Sequence, residues 1–142
     1  MGARRTARER ALQALFQLDG EATTATAASA LESAWAASDE EGPAEPEAKD
    51  FATQIVEGVR AHLADIDPLL EQHSHHWRLD RMSRIDRNVL RLGAWELKYC
   101  DDIPKKVTLN EAVELGKKFG TEESSGFING LLDKIAATLG KA

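Results

Sequence analysis

The chain has 142 residues, of which 42% are hydrophobic and 30% charged, and its formal net charge is −6. This length suits one domain with a single core, and no stretch approaches the roughly 18 uninterrupted apolar residues of a membrane helix. The N-terminus has no apolar segment after its charges, so we do not expect a secretory signal. The acidic balance argues against indiscriminate coating of nucleic acid. Cys100, the single cysteine, excludes an intrachain disulfide and favours a reducing, cytoplasmic compartment.

Helical spacing of apolar residues dominates the first half of the chain, and no segment shows the period-two alternation of a strand. In chain order, the first three predicted helices cover residues 4–18, 26–38 and 49–63. Residues 38–47 are acidic and contain two prolines, which predicts a solvated loop.

Four more helices are predicted in the second half, beginning at Asp67, near residue 83, at Thr108 and near Ser124. Asp67 precedes a proline and is a predicted N-cap. Thr108 and Glu111 have the spacing of a capping box. About seven helices joined by short loops predict an all-α fold of packed bundles.

Catalytic signatures are absent from the sequence: there is no phosphate-binding glycine loop, no dinucleotide fingerprint, no nucleophile elbow and no CxxC pair. His73, His75 and His76 are close enough to suggest a transition-metal site. A metal site also needs a further rigid ligand, which the surrounding polar residues do not supply. We therefore interpret the cluster as a solvated loop and expect no metal and no cofactor.

Two residues on the fifth helix are chemically unusual. Glu96 falls on the same side as Ile85, Val89 and Leu92, where a carboxylate must be paired or neutralised. It is either a catalytic acid or a bridge to a neighbouring helix through an arginine or backbone N–H groups, and the lack of a second catalytic group favours the bridge. Cys100 is expected to be a small buried apolar residue rather than a reactive thiol.

Arginines crowd the first helix. Arg4, Arg5 and Arg8 project in the direction of the apolar residues Leu12 and Leu15. Because unpaired arginines do not enter a core, we expect this turn to overhang the core or to be unwound, exposing three guanidiniums. Their donor geometry matches phosphate, although a frayed charged terminus is the alternative.

A second basic patch is predicted on the fifth helix, opposite its apolar face, and comprises Arg84, Arg87, Arg91 and Lys98. Alone it would indicate a solvated face, but two basic patches on an acidic chain favour RNA or DNA binding. Phe16 and Phe127 would be candidate stacking platforms for bases, but their spacing favours core positions.

Three segments resemble the NusB family of transcription antitermination factors. They are ARRTARERALQALFQLD at 3–19, RIDRNVLRLGAWEL at 84–97 and IPKKVTLNEAVELGKKFGTEESSGFINGLLDKI at 103–135. In the last, the runs NEA-x-EL-x-K-x-[FY] and F-[IV]-NG-[LV]-LDK are specific and correctly ordered. The resemblance is weakest at 20–49. Certain rRNA methyltransferases begin with the same module, but this chain is expected to lack a methyltransferase domain.

The resemblance implies one domain, 1–142, of two three-helix bundles packed roughly perpendicular, at about 4–75 and 80–140. It implies a non-catalytic adaptor that binds boxA RNA in nascent transcripts together with NusE, a small-subunit ribosomal protein. The pair would join the RNA polymerase elongation complex with other Nus factors and suppress termination, chiefly in ribosomal RNA operons. No membrane association is expected.

The resemblance also implies site residues. Its RNA contacts map onto Arg4, Arg5, Arg8, Gln13, Phe16, Glu123, Ser124 and Phe127. Its partner contacts map onto Asp86 with the adjacent Arg84 and Arg87.

The chain departs from the family pattern at several positions. Thr6 interrupts an arginine run, Phe16 replaces a common tyrosine, and Gly126 stands where some members carry lysine. Arginines at 78–87 exceed the usual number. Two alternatives stay open: a pure protein-interaction module with solubilising arginines, and a metal-dependent enzyme that uses the histidine cluster.

Overall fold

The computed structural model describes residues 2–20, 24–38, 44–74 and 78–141. Within these ranges the regular structure is entirely helical, which confirms the predicted all-α fold. The helices are α1 (Ala3–Leu18), α2 (Ala27–Ala36), α3 (Pro46–Ala61), α4 (Leu63–His73), α5 (Arg84–Tyr99), α6 (Lys105–Phe119) and α7 (Ser124–Leu139), with a 3₁₀ turn at Leu79–Arg81. None of the helices in the described part of the chain has the length and apolar character needed to cross a membrane.

The chain divides into two compact units, Met1–Arg60 and Ala61–Ala142. In the first unit, α1 packs on α2, and α2 begins with a capping box in which Thr26 and Ser29 exchange side-chain and backbone hydrogen bonds. The apolar stripe of each helix is buried, as expected for amphipathic helices that share a core. The buried residues include Ala7, Ala11, Leu12 and Leu15 of α1, Ala30 and Leu31 of α2, and Phe51, Ile55 and Val59 of α3.

In the second unit, α5, α6 and α7 pack on one another, and α4 packs on α5 and α7. Helices α5 and α7 approach closely where a Cβ added to Gly93 would lie 2.6 Å from Cδ1 of Leu132, so this crossing leaves little room for a side chain. Helix α7 ends at Gly140, whose φ of 69° suits glycine. The N–H of Lys141 donates to the Ala136 carbonyl there and closes the helix.

Helix α4 lies in the second unit, whereas the boundary expected between residues 75 and 80 would place it in the first. Helix α4 belongs with α5 and α7, so the chain divides into its two units after Arg60 instead. The guanidinium of Arg91 on α5 donates two hydrogen bonds of 2.9 Å to the Asp67 carboxylate on α4. Ile66 and Leu70 of α4 are fully buried. Polar pairing and apolar burial together hold α4 in the second unit.

Two predicted helix starts are wrong. Asp67 lies inside α4, which begins at Leu63, and Thr108 lies inside α6, which begins at Lys105. The Asp67 carboxylate accepts from Arg91, and the Thr108 hydroxyl donates to Glu96. Each side chain therefore binds a side chain of α5 and does not cap the free N–H groups at a helix start.

Candidate nucleic-acid interface

The arginines of α1 are not equally accessible. Arg4 and Arg5 are exposed, whereas Arg8 is only 3% exposed. The expectation of three exposed guanidiniums is therefore wrong for Arg8. The first turn is not unwound, because α1 begins at Ala3. The guanidinium carbon of Arg8 lies 5.4 Å from the centre of the Phe51 ring, which provides an aromatic partner for its charge.

The same ring also contacts Arg4, whose guanidinium carbon lies 4.7 Å from the centre of Phe51. Arg4 and Arg8 are one helical turn apart and so share a side of α1. The Phe51 side chain of α3 thus meets an exposed and a buried arginine of the candidate RNA-binding helix.

Gln13 is half-buried, and Arg10 orients it. Nη1 of Arg10 donates to Oε1 of Gln13 over 3.0 Å, and Nη2 donates to the Ser38 hydroxyl over 3.1 Å. Because the Gln13 carbonyl oxygen accepts from Arg10, its amide N–H groups are what it can offer an external acceptor.

Phe16 is 37% exposed, so the core position favoured by its spacing is wrong. It follows Arg5 by eleven residues, which places the two within about 20° around the helix axis and roughly 16 Å apart along it. A guanidinium and an accessible aromatic ring on one face of α1 can contact a phosphate and a base of a single strand.

The second group of predicted RNA contacts, Glu123, Ser124 and Phe127, lies at the turn between α6 and α7 and in the first turn of α7. Ser124 is 1% exposed, and its hydroxyl accepts from the Thr121 N–H over 2.9 Å. A Cβ on Gly120 would approach the Ser124 Cβ to 2.7 Å. Ser124 is thus the first residue of α7 and a buried part of this turn.

The neighbours of Ser124 are more accessible. Glu123 is exposed, Phe127 is half-buried, and Gly126 has open space around its α-carbon. Partial burial means that the Phe127 ring both packs against the protein and presents some of its surface. This end of α7 therefore offers an aromatic surface and a carboxylate.

The start of α5 carries the residues assigned to partner contact. Ser83 caps the helix by accepting from the Asp86 N–H over 3.0 Å. Asp86 is half-buried, and its Oδ1 atom has no hydrogen-bond partner among the described residues. Arg84 beside it is exposed, whereas Arg87 is half-buried and donates to the Leu79 carbonyl over 2.8 Å. Arg84 is the exposed member of this group, and Asp86 and Arg87 are both half-buried.

The predicted basic face of α5 is not a uniform solvated patch. Arg91 is engaged with Asp67 and Arg87 with the 3₁₀ turn, so both tie elements of the second unit together. Arg84 and Lys98 remain exposed. The cationic surface of this helix is therefore smaller than the helical wheel predicts.

The histidine cluster lies only partly within the described residues, since His75 and His76 fall outside them. Both ring nitrogens of His73 have protein partners. Nδ1 is 2.9 Å from the Leu69 carbonyl, and Nε2 is 2.7 Å from the Thr138 hydroxyl. Over the described ranges, no group of three or more potential ligands could hold a metal ion. The His73 ring joins α4 to α7 and is not part of a solvated loop.

Glu96 of α5 and Cys100, which directly follows α5, lie in different environments. Glu96 is fully buried, and its Oε1 accepts from the Thr108 hydroxyl of α6 over 2.9 Å. The expected bridge to a neighbouring helix is present, but the donor of this hydrogen bond is a hydroxyl group and not an arginine or a backbone N–H group. Cys100 is half-buried rather than buried, and its carbonyl accepts from the Lys141 ammonium.

Sequence reasoning missed the partners of several charged side chains. Helical spacing with Ile55 and Val59 gives Phe51 only a place in the apolar stripe of α3, and the charge pattern gives Arg10 only a place among the basic residues of α1. Arg10 is nine-tenths buried, and the predicted loop contributes Ser38 to it. The Arg4–Arg8 spacing shows that the two share a side of α1, but no local signal identifies the ring they contact.

Comparison with known proteins adds to these observations. A model of the NusB family matches residues 5–137. A transcription antitermination protein NusB of Myxococcus xanthus is 67% identical over 141 residues, covering 99% of each chain. One from Geobacter sulfurreducens is 47% identical over 139 residues, covering 98% of this chain and 97% of the relative.

Solved structures agree with the sequence relatives. NusB of T. maritima has a TM-score of 0.83 at 36% identity, covering 96% of this chain and 92% of that one. A crystal structure of antitermination factors NusB and NusE in complex with dsRNA has a TM-score of 0.83 at 25% identity, covering 96% and 97%. Sequence and fold agree over nearly the whole length, and this chain belongs to the NusB family.

Proposed function

We propose that this chain is a non-catalytic RNA-binding adaptor of transcription antitermination that acts in the cytoplasm. It binds boxA-containing RNA together with NusE and joins the RNA polymerase elongation complex with other Nus factors, chiefly on ribosomal RNA operons. The observation that carries the proposal is the end-to-end similarity to proteins named transcription antitermination protein NusB, with a structural neighbour that was crystallised with NusE and dsRNA.

The surface of α1 supports an RNA-binding role. Arg4 and Arg5 offer guanidiniums to phosphate, and Phe16 offers an exposed ring to an unstacked base. Gln13 offers amide N–H groups. Arg8, which is buried, supports this surface from within. On α7, Glu123 and Phe127 form a separate contact region beside the buried Ser124.

The start of α5 supports a protein-binding role. The Oδ1 atom of Asp86 lacks a hydrogen-bond partner among the described residues, and a buried acceptor of this kind is costly when unsatisfied. Because this atom is buried, a donor from NusE satisfies it only if the start of α5 rearranges on binding; the exposed Arg84 and the half-buried Arg87 lie beside it. We assign Asp86, Arg84 and Arg87 to partner contact.

Binding to a fluorescent boxA-like RNA, measured with and without purified NusE, tests the proposal. We expect tighter binding to boxA than to a scrambled RNA of equal length and composition, and tighter binding still when NusE is present. Equal affinity for both RNAs would instead favour a protein-interaction module with solubilising arginines.

A matched pair of surface variants makes the test specific. Phe16→Leu keeps an exposed apolar side chain but removes the ring, and we expect it to weaken binding by up to about 1–3 kcal/mol if a base stacks there. Val107→Ala is the control, because Val107 is also an exposed apolar residue but lies on α6. If Phe16→Leu bound RNA as tightly as the parent, the Phe16 ring would not be part of the RNA site.

A further inference from the structure

The ring of Phe51 has an environment that its place in an apolar stripe does not explain. Phe51 is only 7% exposed and lies on α3 among the fully buried Ala52, Ile55 and Val59. Its position is therefore set by the core of the first unit. Yet its ring contacts two charged groups of another helix, Arg4 and Arg8.

Both guanidiniums lie within the distance at which a cation is attracted to an aromatic face, about 6 Å from the ring centre. The separations are 4.7 Å for Arg4 and 5.4 Å for Arg8. The two arginines differ in accessibility, since Arg8 is 3% exposed and Arg4 is exposed. One ring in the core is thus linked to an arginine at the protein surface.

Contact with a ring face uses none of the five N–H donors of a guanidinium. A stacked arginine can therefore bind phosphate through its edge while the ring limits its motion. An arginine side chain otherwise loses much of its rotamer freedom when it is immobilised. Restricting it before binding lowers that cost and strengthens the complex.

We propose that Phe51 is a positioning residue of the RNA-binding surface, whose ring holds the Arg4 guanidinium in place for a phosphate of the RNA backbone. Arg8, buried against the same ring, helps to fix α1 on α3. This inference rests on the proposed RNA-binding function and assigns a role in that function to a residue that does not itself touch RNA.

Three variants separate positioning from simple packing. Phe51→Leu keeps most of the apolar volume but removes the aromatic face, and we expect RNA binding to weaken about three- to tenfold. Phe51→Tyr keeps the face and restores affinity to within about twofold of the parent. Val59→Ala, in the same helix, lowers the unfolding temperature and leaves affinity unchanged. Equal affinity losses in Phe51→Leu and Val59→Ala would overturn the proposal in favour of general destabilisation.

A double-mutant cycle identifies the arginine involved. Arg4→Ala weakens RNA binding, and we expect that adding Phe51→Leu to it causes little further loss, because the ring then has no exposed guanidinium to position. Fully multiplicative effects of the two changes would show that Phe51 does not act through Arg4.

Nuclear magnetic resonance of the unmodified protein tests the contact without relying on any variant to fold. We expect the side-chain protons of Arg4 to be shifted upfield by the ring current of Phe51, and resonances at ordinary arginine positions would overturn the proposal. If the parent failed to bind boxA-like RNA, the proposed function would fail together with this inference. If the parent bound this RNA and Phe51→Leu bound it equally tightly, the inference about Phe51 would be wrong and the proposed function would stand.

Discussion

Burial gives neighbouring arginines of α1 different physical roles. Arg5 is exposed and contributes charge that an RNA phosphate can meet, whereas Arg8 is 3% exposed and packs against Phe51. A guanidinium at a surface costs little to remove, but a buried one leaves both a void and a ring without its cation. The two positions therefore allow RNA contact and structural support to be measured separately.

We predict that Arg5→Ala weakens binding to boxA-like RNA without lowering the unfolding temperature. Loss of one phosphate contact should reduce the slope of log K against log salt by about 0.7 for a single strand. Arg8→Ala should lower stability by about 1–3 kcal/mol, since it removes a buried side chain. Thermal unfolding and titrations at several salt concentrations measure both effects, and equal unfolding temperatures for the two variants would contradict the assignment.

At the scale of helices, polar side-chain contacts join helices that also pack through apolar residues. Arg91 joins α5 to α4 through Asp67, His73 joins α4 to α7 through Thr138, and Glu96 joins α5 to α6. Each contact pairs a charged or imidazole group with an acceptor or donor on another helix. Buried polar groups need such partners because desolvation without a hydrogen bond is costly.

The contact between Glu96 and Thr108 yields a stability prediction. Thr108→Val keeps the side-chain shape but removes the hydroxyl that donates to the fully buried Glu96. Leaving a buried acceptor without its partner costs about 1–3 kcal/mol, so we expect a loss in that range in urea unfolding. Glu96→Ala should cost at least as much, because it also leaves a cavity. A Glu96→Ala variant as stable as the parent would show that this bridge does not stabilise the fold.

The junction of α4 with the end of α5 yields a pH prediction. Partial burial raises the pKa of Tyr99 above its ordinary value of 10.0, and the hydrogen bond and negative charge of Asp65 act in the same direction. A raised pKa means that folding favours the neutral phenol. Its stabilising contribution is therefore complete below the ordinary pKa and is lost as the pH rises through the raised one.

Tyr99 is the only tyrosine, so near-ultraviolet absorbance follows its titration without interference from another phenol. We expect Asp65→Asn to lower the pKa of Tyr99 toward its ordinary value without abolishing the shift, because burial is the largest cause. An identical titration curve in parent and variant would exclude an electrostatic contribution from Asp65.

At the scale of the whole molecule, a net charge of −6 limits how the protein can bind RNA. Overall attraction to the polyanion is absent, so affinity must come from local groups such as Arg4, Arg5 and Phe16. Several of the remaining arginines are engaged within the fold, including Arg8 and Arg91. RNA binding should consequently involve few phosphates.

We predict a shallow dependence of RNA affinity on salt. Two to four phosphate contacts correspond to a slope of log K against log salt of about −1.4 to −2.8 for a single strand. Titration of the isolated protein with boxA-like RNA over a range of salt concentrations gives this slope directly. A slope steeper than about −5 would indicate the extended electrostatic binding that the charge distribution argues against.

The sequence alone predicts the all-α fold, about seven helices and the family of this protein, because helical periodicity and ordered motifs are properties of local sequence. It also predicts that Glu96 is buried, since its direction around α5 follows from its spacing. It does not identify the Thr108 hydroxyl as a partner, because periodicity gives the direction of a side chain but not what lies opposite.

Only the tertiary structure decided which polar residues serve the fold and which remain available for binding. Asp67 and Thr108 have the local signals of helix caps but bind side chains of α5 instead. Arginines are usually exposed and phenylalanines usually buried, but α1 shows the reverse. Arg8 is buried against the Phe51 ring, and Phe16 is exposed. In each case a contact distant in sequence outweighs the local preference, because packing between helices determines which side chains lose water and which partners they meet there.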